Sequence, residues 1–387
     1  MPFARGSRYD RGMRQLGWLV IAGCAAPAAG TTSQPITNGS ADPVDDAVIA
    51  LVDPTGRAGC TATVIGPHTA ITAAHCVYGF DARMLRAFFG DSVAGGGTFD
   101  AVSDARTDPM FDSATLAHDL ALVTLRDPAP AAPRTLEPGP LDSSLVGTLI
   151  RAVGYGTTGP SSDDGGTRHA GSAEISDVSA TELTAVPMPS QPCRGDSGGP
   201  AILASGTIAA VVSRGDTACA DHAIYARIDI ARASFVDPYV ASTAPGTVHV
   251  GDACLYDGQC VEGPCLVTGD DPELAFCSQA CTHDVDCPHG MMCTDHQCRY
   301  PEPSPGALGS TCAGNPDCTS DVCLDSVCTR SCAGSAACPA GYTCGGKAEG
   351  YCFATPGGCG CAGGGDAPVW VMALLLLARA RRSGRCA

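Results

Sequence analysis

The sequence predicts an all-β domain over residues 36–243, followed by two small disulfide-rich modules at 254–298 and 312–352. Three observations carry this prediction. Short β-rich runs recur at 48–52, 60–65, 120–125, 149–153, 208–213 and 223–228, with Gly, Pro, Asp and Ser clustered between them, as barrels and sandwiches require. Only four of the 24 cysteines lie between 36 and 243, while sixteen lie between 254 and 352. Those sixteen form two series of matched spacing, the mark of an internal repeat.

The chain opens with residues 1–35, read as signal and propeptide. Arg5, Arg8, Arg11 and Arg14 precede an apolar run at 16–22 and then a small-residue stretch. That is a secretory signal, too short to span a bilayer as a permanent helix, and Met13 offers a more compact start. The run ends Ile21-Ala22-Gly23-Cys24, which resembles the bacterial lipobox and makes Cys24 a candidate lipidation site. Cleavage after Ala26-Pro27-Ala28 is the alternative.

Residues 36–243 suffice in number to bury a sizeable core. Within them 229–242 reads as one terminal helix. A polar stretch, 242–250, leads into the repeats. Cys254, Cys260, Cys265, Cys277, Cys281, Cys287, Cys293 and Cys298 are separated by 5, 4, 11, 3, 5, 5 and 4 residues. Cys312, Cys318, Cys323, Cys328, Cys332, Cys338, Cys344 and Cys352 are separated by 5, 4, 4, 3, 5, 5 and 7. Five of the seven gaps agree, and a Pro-rich linker at 299–310 joins the copies. Modules of this size cannot hold a core unaided, so four bridges within each copy must stabilise it. Close-set CxxC pairs are absent, which favours disulfides over zinc. No metal and no cofactor is expected. So many disulfides require an oxidising compartment.

The C-terminal region, 359–387, reads Cys359-Gly360-Cys361, a Gly-rich spacer, an apolar run at 367–378 and then Arg379, Arg381, Arg382 and Arg385. Twelve apolar residues are few for a stable span. The layout resembles myxobacterial sorting signals and implies a processing peptidase as partner; a retained short anchor is the alternative. Lys347 is the only lysine amid abundant Ala, Gly, Pro and Arg, a skew of GC-rich bacterial genomes. A formal net charge of −17 excludes nucleic acid and anionic membranes as partners. The expected location is secreted or anchored at a bacterial cell surface.

Three local frames carry chemistry. ITAAHC holds His75 and Cys76 just after the run GCTATVIG. HDLALVTL places Asp119 before an apolar run, and CRGDSGGP places Ser197 in a Gly-rich turn. A hydroxyl becomes a nucleophile at neutral pH only when a hydrogen-bonded imidazole takes its proton and a carboxylate orients that imidazole. These frames supply all three groups, in the order His, Asp, Ser. His68, His169 and His222 read as surface residues, His118 as a mere neighbour of Asp119, and Asp112 as a loop residue.

Residues 36–243 resemble the chymotrypsin-like (S1) serine proteases. The resemblance implies two six-stranded antiparallel β-barrels and a C-terminal helix. It implies endopeptidase activity on proteins or peptides through an acyl-enzyme. His75 is then the general base, Asp119 its orienting acid and Ser197 the nucleophile. The N–H groups of Gly195 and Ser197 form the oxyanion hole. It implies disulfides Cys60–Cys76 and Cys193–Cys219. Ile36 matches the new N-terminus made on zymogen activation, whose ammonium pairs with Asp196. Gln34-Pro35 departs from the usual Arg or Lys before that cut. Gly154-Tyr155-Gly156 stands where Gly-Trp-Gly is usual, and Ser213-Arg214-Gly215 where Ser-Trp-Gly is usual. Gln191, Ser213, Gly215 and Ala223 fall at the specificity pocket. With Gln191 in place of aspartate, neutral small-to-medium P1 residues are expected, and poor cleavage after Arg or Lys. Pro192 beside the floor is unusual. The modules serve as a stalk or bind a cell-surface ligand; an esterase using the same triad is a further class.

Overall fold

The computed structural model describes residues 36–354, apart from 80, 270–273, 333–337, 339–341 and 346–349. The signal, Cys24 and the region 359–387 lie outside the described residues. No described helix is long and apolar enough to cross a membrane. The described residues divide into two compact units. One runs to Cys265 and takes in Cys277–Gln279; the other holds Leu266–Phe276 and the chain from Ala280.

Strand β1 (Ser40–Ala41) leads into a closed barrel of β2 (Val48–Val52), β3 (Ala58–Gly66), β4 (Thr69–Thr72), β5 (Arg86–Ser92), β6 (Gly96–Thr107) and β7 (Ala121–Leu125), in the order β2-β3-β4-β7-β6-β5. The second barrel comprises β8 (Leu149–Gly154), β9 (His169–Val178), β10 (Glu182–Pro187), β11 (Pro200–Ile202), β12 (Ile208–Gly215) and β13 (Ala223–Arg227). Its order is β9-β10-β13-β12-β11-β8, closed by β8 pairing back to β9, with β1 added at the edge of β9. All pairings are antiparallel. The all-β class and the double six-stranded barrel are as expected.

Side chains alternate across a strand, and the most apolar strands use both faces. In β2, Ile49 and Leu51 enter the first barrel's core, while Val48, Ala50 and Val52 join Phe88, Val153, Tyr155 and Ile202 between the barrels. In β7, Ala121, Val123 and Leu125 face inward, and Leu122 packs outward with Ile71, Ile208, Val211, Phe235 and Val236. The second barrel's core gathers Ile150, Ile175, Leu183, Val212 and Tyr225. The chemical frames sit at this double seam.

The terminal helix is shorter than 229–242. A π-helical turn covers Arg232–Val236, and the α-helix α1 spans Asp237–Ser242. Pro238 stands in its first turn, where a missing N–H costs nothing. Tyr239 of α1 bonds the Thr124 hydroxyl at 2.7 Å, satisfying the one polar side chain of β7. His68 and His169 are buried, against the expectation of surface positions. Tyr256 covers the His68 ring at a centroid distance of 3.6 Å, and His169 begins β9 with Nδ1 2.9 Å from the Thr167 carbonyl. Burial lowers the His169 pKa.

The sixteen later cysteines all pair within their own repeat: 254–265, 260–277, 281–293 and 287–298 in one, and 312–323, 318–328, 332–344 and 338–352 in the other. The pairing exposes a shorter period than the sequence spacing suggested. Each group of four joins its first to its third and its second to its fourth cysteine. Each also holds a hairpin, for example Met292–Thr294 with Gln297–Arg299, and Tyr342–Cys344 with Cys352–Ala354. The cysteines of the first group belong to the same compact unit as the barrels. There Tyr256 stacks on His68 and its hydroxyl donates to the Thr243 carbonyl at 2.7 Å.

Candidate active site

His75 lies in the short 3₁₀ turn Ala74–Cys76 that follows β4. Asp119 sits two residues before β7, fully buried. Its carboxylate accepts three hydrogen bonds: from the His75 backbone N–H to Oδ1 (2.9 Å), from His75 Nδ1 to Oδ2 (2.7 Å) and from the Ser213 hydroxyl to Oδ2 (2.6 Å). Ser213 stands where the β12–β13 register shifts between Val212 and Arg214, and such a bulge re-aims a side chain. A buried carboxylate needs partners of this kind. The set also fixes the imidazole with Nδ1–H toward Asp119, leaving Nε2 as acceptor. The His75 side chain keeps 29% of its exposure, so this face reaches solvent.

Ser197 is held against the histidine frame through its backbone. Its carbonyl accepts Thr61 N–H at 2.8 Å. Cys60, beside Thr61, is bonded to Cys76, beside His75. Cys76 Sγ lies 3.7 Å from the Ser197 carbonyl oxygen. The next residue, Gly198, has φ +82°, and a Cβ there would stand 2.0 Å from Thr72 Oγ1 and 2.9 Å from Ala73 N. Only glycine lets the serine turn approach the strand that delivers His75 so closely.

The carbonyls of this turn are all engaged. Arg194 O accepts Thr157 N–H (2.7 Å), Gly195 O accepts the Thr61 hydroxyl (2.9 Å) and Asp196 O accepts Gly199 N–H (2.8 Å). In a trans peptide the N–H points opposite to the C=O. The Gly195 and Ser197 N–H groups therefore point away from these anchors. A cavity of about 520 Å³ opens beside Gly195, between Arg57, Asp163, Thr157 and Arg194.

Asp196 is buried beneath the turn and accepts Gly156 N–H and Cys193 N–H, both at 2.8 Å. A Cβ at Gly154 or Gly156 would come within 2.2 or 2.5 Å of its carboxylate, which explains those two glycines. Burial pushes its pKa up to about 7, against the pull of the two N–H groups. Ile36 is also fully buried, and its γ2 methyl lies 2.9 Å from where a Cβ at Gly171 would stand.

Thr37, one residue on, pairs with the Gln191 backbone: Thr37 N–H donates to Gln191 O at 2.9 Å and Gln191 N–H to Thr37 O at 3.2 Å. The Thr37 hydroxyl touches Gln191 O (3.2 Å) and Cys219 O (3.1 Å). Cys219 is bonded to Cys193. Gln191, Ser213 and Ala223 are buried, and Gly215 leaves space between Gln191 Nε2 and the His222 carbonyl. Arg214 is drawn aside by Glu182, with Nη1 2.8 Å from Oε1 and Nη2 3.1 Å from Oε2.

Sequence reasoning missed Thr61 and Thr37. Thr61 N–H and hydroxyl hold Ser197 O and Gly195 O, and its Oγ1 accepts Tyr155 N–H at 3.0 Å. Its signal was its place beside a cysteine of the histidine frame. Thr37 bore no signal beyond adjacency to Ile36. Of the set-aside residues, Asp112 is an exposed loop acid bonded to Ala114 N–H and the Thr115 hydroxyl.

A family model described as Trypsin matches residues 36–234, half of the chain. A trypsin of Saccharopolyspora erythraea is 29% identical over 112 residues, which are 28% of this chain and 49% of that protein. The chain thus spans about half the length of that curated relative. Among solved structures, human heparin binding protein aligns with 17% identity, 55% of this chain, 99% of its own and a TM-score of 0.47. A double mutant of the same human protein aligns with 16% identity over the same shares and a TM-score of 0.48.

Proposed function

Because the chain belongs to the trypsin family over residues 36–234, we propose that it is a secreted or surface-displayed serine endopeptidase acting through His75, Asp119 and Ser197. The observation that carries this reading is the buried Asp119 carboxylate and its three donors, His75 N–H, His75 Nδ1 and Ser213 Oγ. His75 Nε2 takes the Ser197 hydroxyl proton as Oγ attacks the scissile carbonyl. The tetrahedral oxyanion is received by Gly195 and Ser197 N–H. His75 then gives the proton to the leaving amine, and water, activated by the same imidazole, hydrolyses the acyl-enzyme. Asp119 stabilises the imidazolium without taking its proton.

Activation is a cut before Ile36. The freed ammonium gives buried Asp196 a cationic partner, which a buried carboxylate needs in order to ionise. Pro35 in front of the cut argues for an activating protease other than the chain itself. Gln191 supplies no counter-charge for Arg or Lys, so neutral P1 residues are preferred. The Cys-rich repeats act as a protease-resistant stalk, and the tail beyond Cys361 is removed after export by a C-terminal processing peptidase.

The test is hydrolysis of a mixed peptide pool by the chain cut before Ile36. Ser197→Ala should lower turnover about 10⁴-fold or more while the circular dichroism stays unchanged. Wild-type turnover in that variant removes the reading.

A further inference from the structure

We infer that the protein selects a primary carboxamide, glutamine above all, as the P1 side chain, with the Gln191 head group as the selecting element; this rests on the protease reading above. Gln191 is wholly buried, and its backbone N–H and C=O are both paired with Thr37. Its side-chain Oε1 and Nε2 are both buried and have no hydrogen-bond partner among the described residues. Native structures rarely leave even one such atom unpaired, because each forfeits its interaction with water. Nε2 lies 3.6 Å from where a Cβ at Gly215 would stand, so the head group faces the space that glycine leaves open. Ala223, paired with Gly215 across β12–β13, forms the adjoining wall. Tyr225, two residues along β13 and on the same face as Ala223, carries another buried polar atom, its hydroxyl, unpaired among the described residues.

The orphaned pair asks for a ligand with one donor and one acceptor side by side. Lysine and arginine offer donors only, and an ionised glutamate acceptors only. Either would leave one half of Gln191 unpaired. Methionine or leucine leaves both unpaired. A primary carboxamide presents N–H and C=O in one plane and can meet Gln191 head to head. Gln191 is also one methylene longer than the aspartate of cation-selecting members, and a glutamine side chain is correspondingly shorter than lysine. Sites built to hydrogen-bond a polar group reject its apolar isostere strongly, whereas apolar pockets discriminate weakly.

The experiment uses full-length chain cut before Ile36 and peptides identical except at P1, which is Gln, Asn, Met, Leu, Glu, Thr or Lys. The expected result is kcat/KM for Gln at least about tenfold above near-isosteric Met, with Glu and Lys lower still. Gln191→Met should bring the Gln:Met ratio to one or below. Because that variant could fail to fold, wild-type enzyme is also tested on the same peptide with N,N-dimethylglutamine at P1, which keeps the acceptor but loses the donor, and its kcat/KM should fall toward the Met value. Efficient hydrolysis with Met, Leu, Thr or Lys equal to or above Gln overturns this inference alone, as does a ratio unchanged in Gln191→Met. No hydrolysis of any peptide, together with no labelling of Ser197 by a fluorophosphonate, overturns the protease reading and this inference with it.

Discussion

The barrels and the Cys-rich repeats are held together by different forces. Residues 36–243 bury four apolar clusters and carry two disulfides, both beside the candidate site. Residues 254–352 carry eight disulfides, and a buried cluster there around Cys312, Cys318 and Cys328 consists of half-cystines. The first region has enough chain to bury a core that leaves its bridges free for positioning. Cys60–Cys76 ties the strand behind Ser197 to the histidine turn, and Cys193–Cys219 ties the serine turn to the loop between β12 and β13. Among the described residues of the second region, the buried apolar positions are mostly half-cystines, so its bridges carry most of its stability.

The largest effect separating the two is reduction. A mild reductant applied to the Ser197→Ala chain should make the region from Ala280 onward digestible by thermolysin while the barrels resist. Each native bridge lost from a small domain costs about 2–5 kcal/mol, enough together to abolish folding. Simultaneous digestion of both regions would show that the barrels too depend on their bridges.

Next in size is Asp119→Asn. Asparagine fits the same space, but its amide favours the wrong imidazole tautomer, so kcat should fall about 10⁴-fold, the size general to this constellation. The denaturation midpoint should move little, because the core clusters are untouched. A loss of folding without a separable kinetic defect would mean that the site holds the barrels together, as the bridges hold the repeats.

A pH series sharpens the comparison within the barrels. Asp196 has a folded pKa raised from 3.8 to about 7 by burial. The folded uncut chain therefore binds more protons than the unfolded chain between about pH 4 and pH 7, and this contribution to stability is lost as pH rises through that window. Relative to Asp196→Asn, uncut Ser197→Ala chain should lose stability from pH 4 to pH 7 in urea titrations. After the cut before Ile36 that dependence should shrink. An identical dependence before and after cutting would break the proposed pairing.

The smallest effect is Thr37→Val, which keeps the backbone pairing with Gln191 but removes the hydroxyl contacts to Gln191 O and Cys219 O. One such hydrogen bond is worth about 0.5–1.5 kcal/mol, so kcat/KM should fall about threefold to tenfold in steady-state assays. No change would confine pocket positioning to the backbone.

The same contrast governs what the sequence made legible. Strands packed between their own barrel and the other one, β2, β7 and β12, read as continuous apolar runs. Strand β6 was not recognised, because GGTFDAVSDART faces solvent along much of its length and carries two glycines and two aspartates. Strands β4 and β11 are buried but only four and three residues long. The frames of His75, Asp119 and Ser197 were legible because each is a short local string, ITAAHC, HDLALVTL and CRGDSGGP. The Thr61 hub joins residues more than ninety positions apart in sequence, and the Gln191 head group meets Gly215 of β12, so no local pattern announces either. The half-length period of the repeats was hidden by unequal loops, and disulfide pairing revealed it.

Ser197 is proposed as the nucleophile activated by His75 on Asp119. The most direct test is reaction of the chain, cut before Ile36, with diisopropyl fluorophosphate, followed by mass mapping of the adduct. The expected result is a single adduct on Ser197, absent at the same exposure in His75→Ala. An adduct on another serine, or labelling of Ser197 that is indifferent to His75, would contradict it.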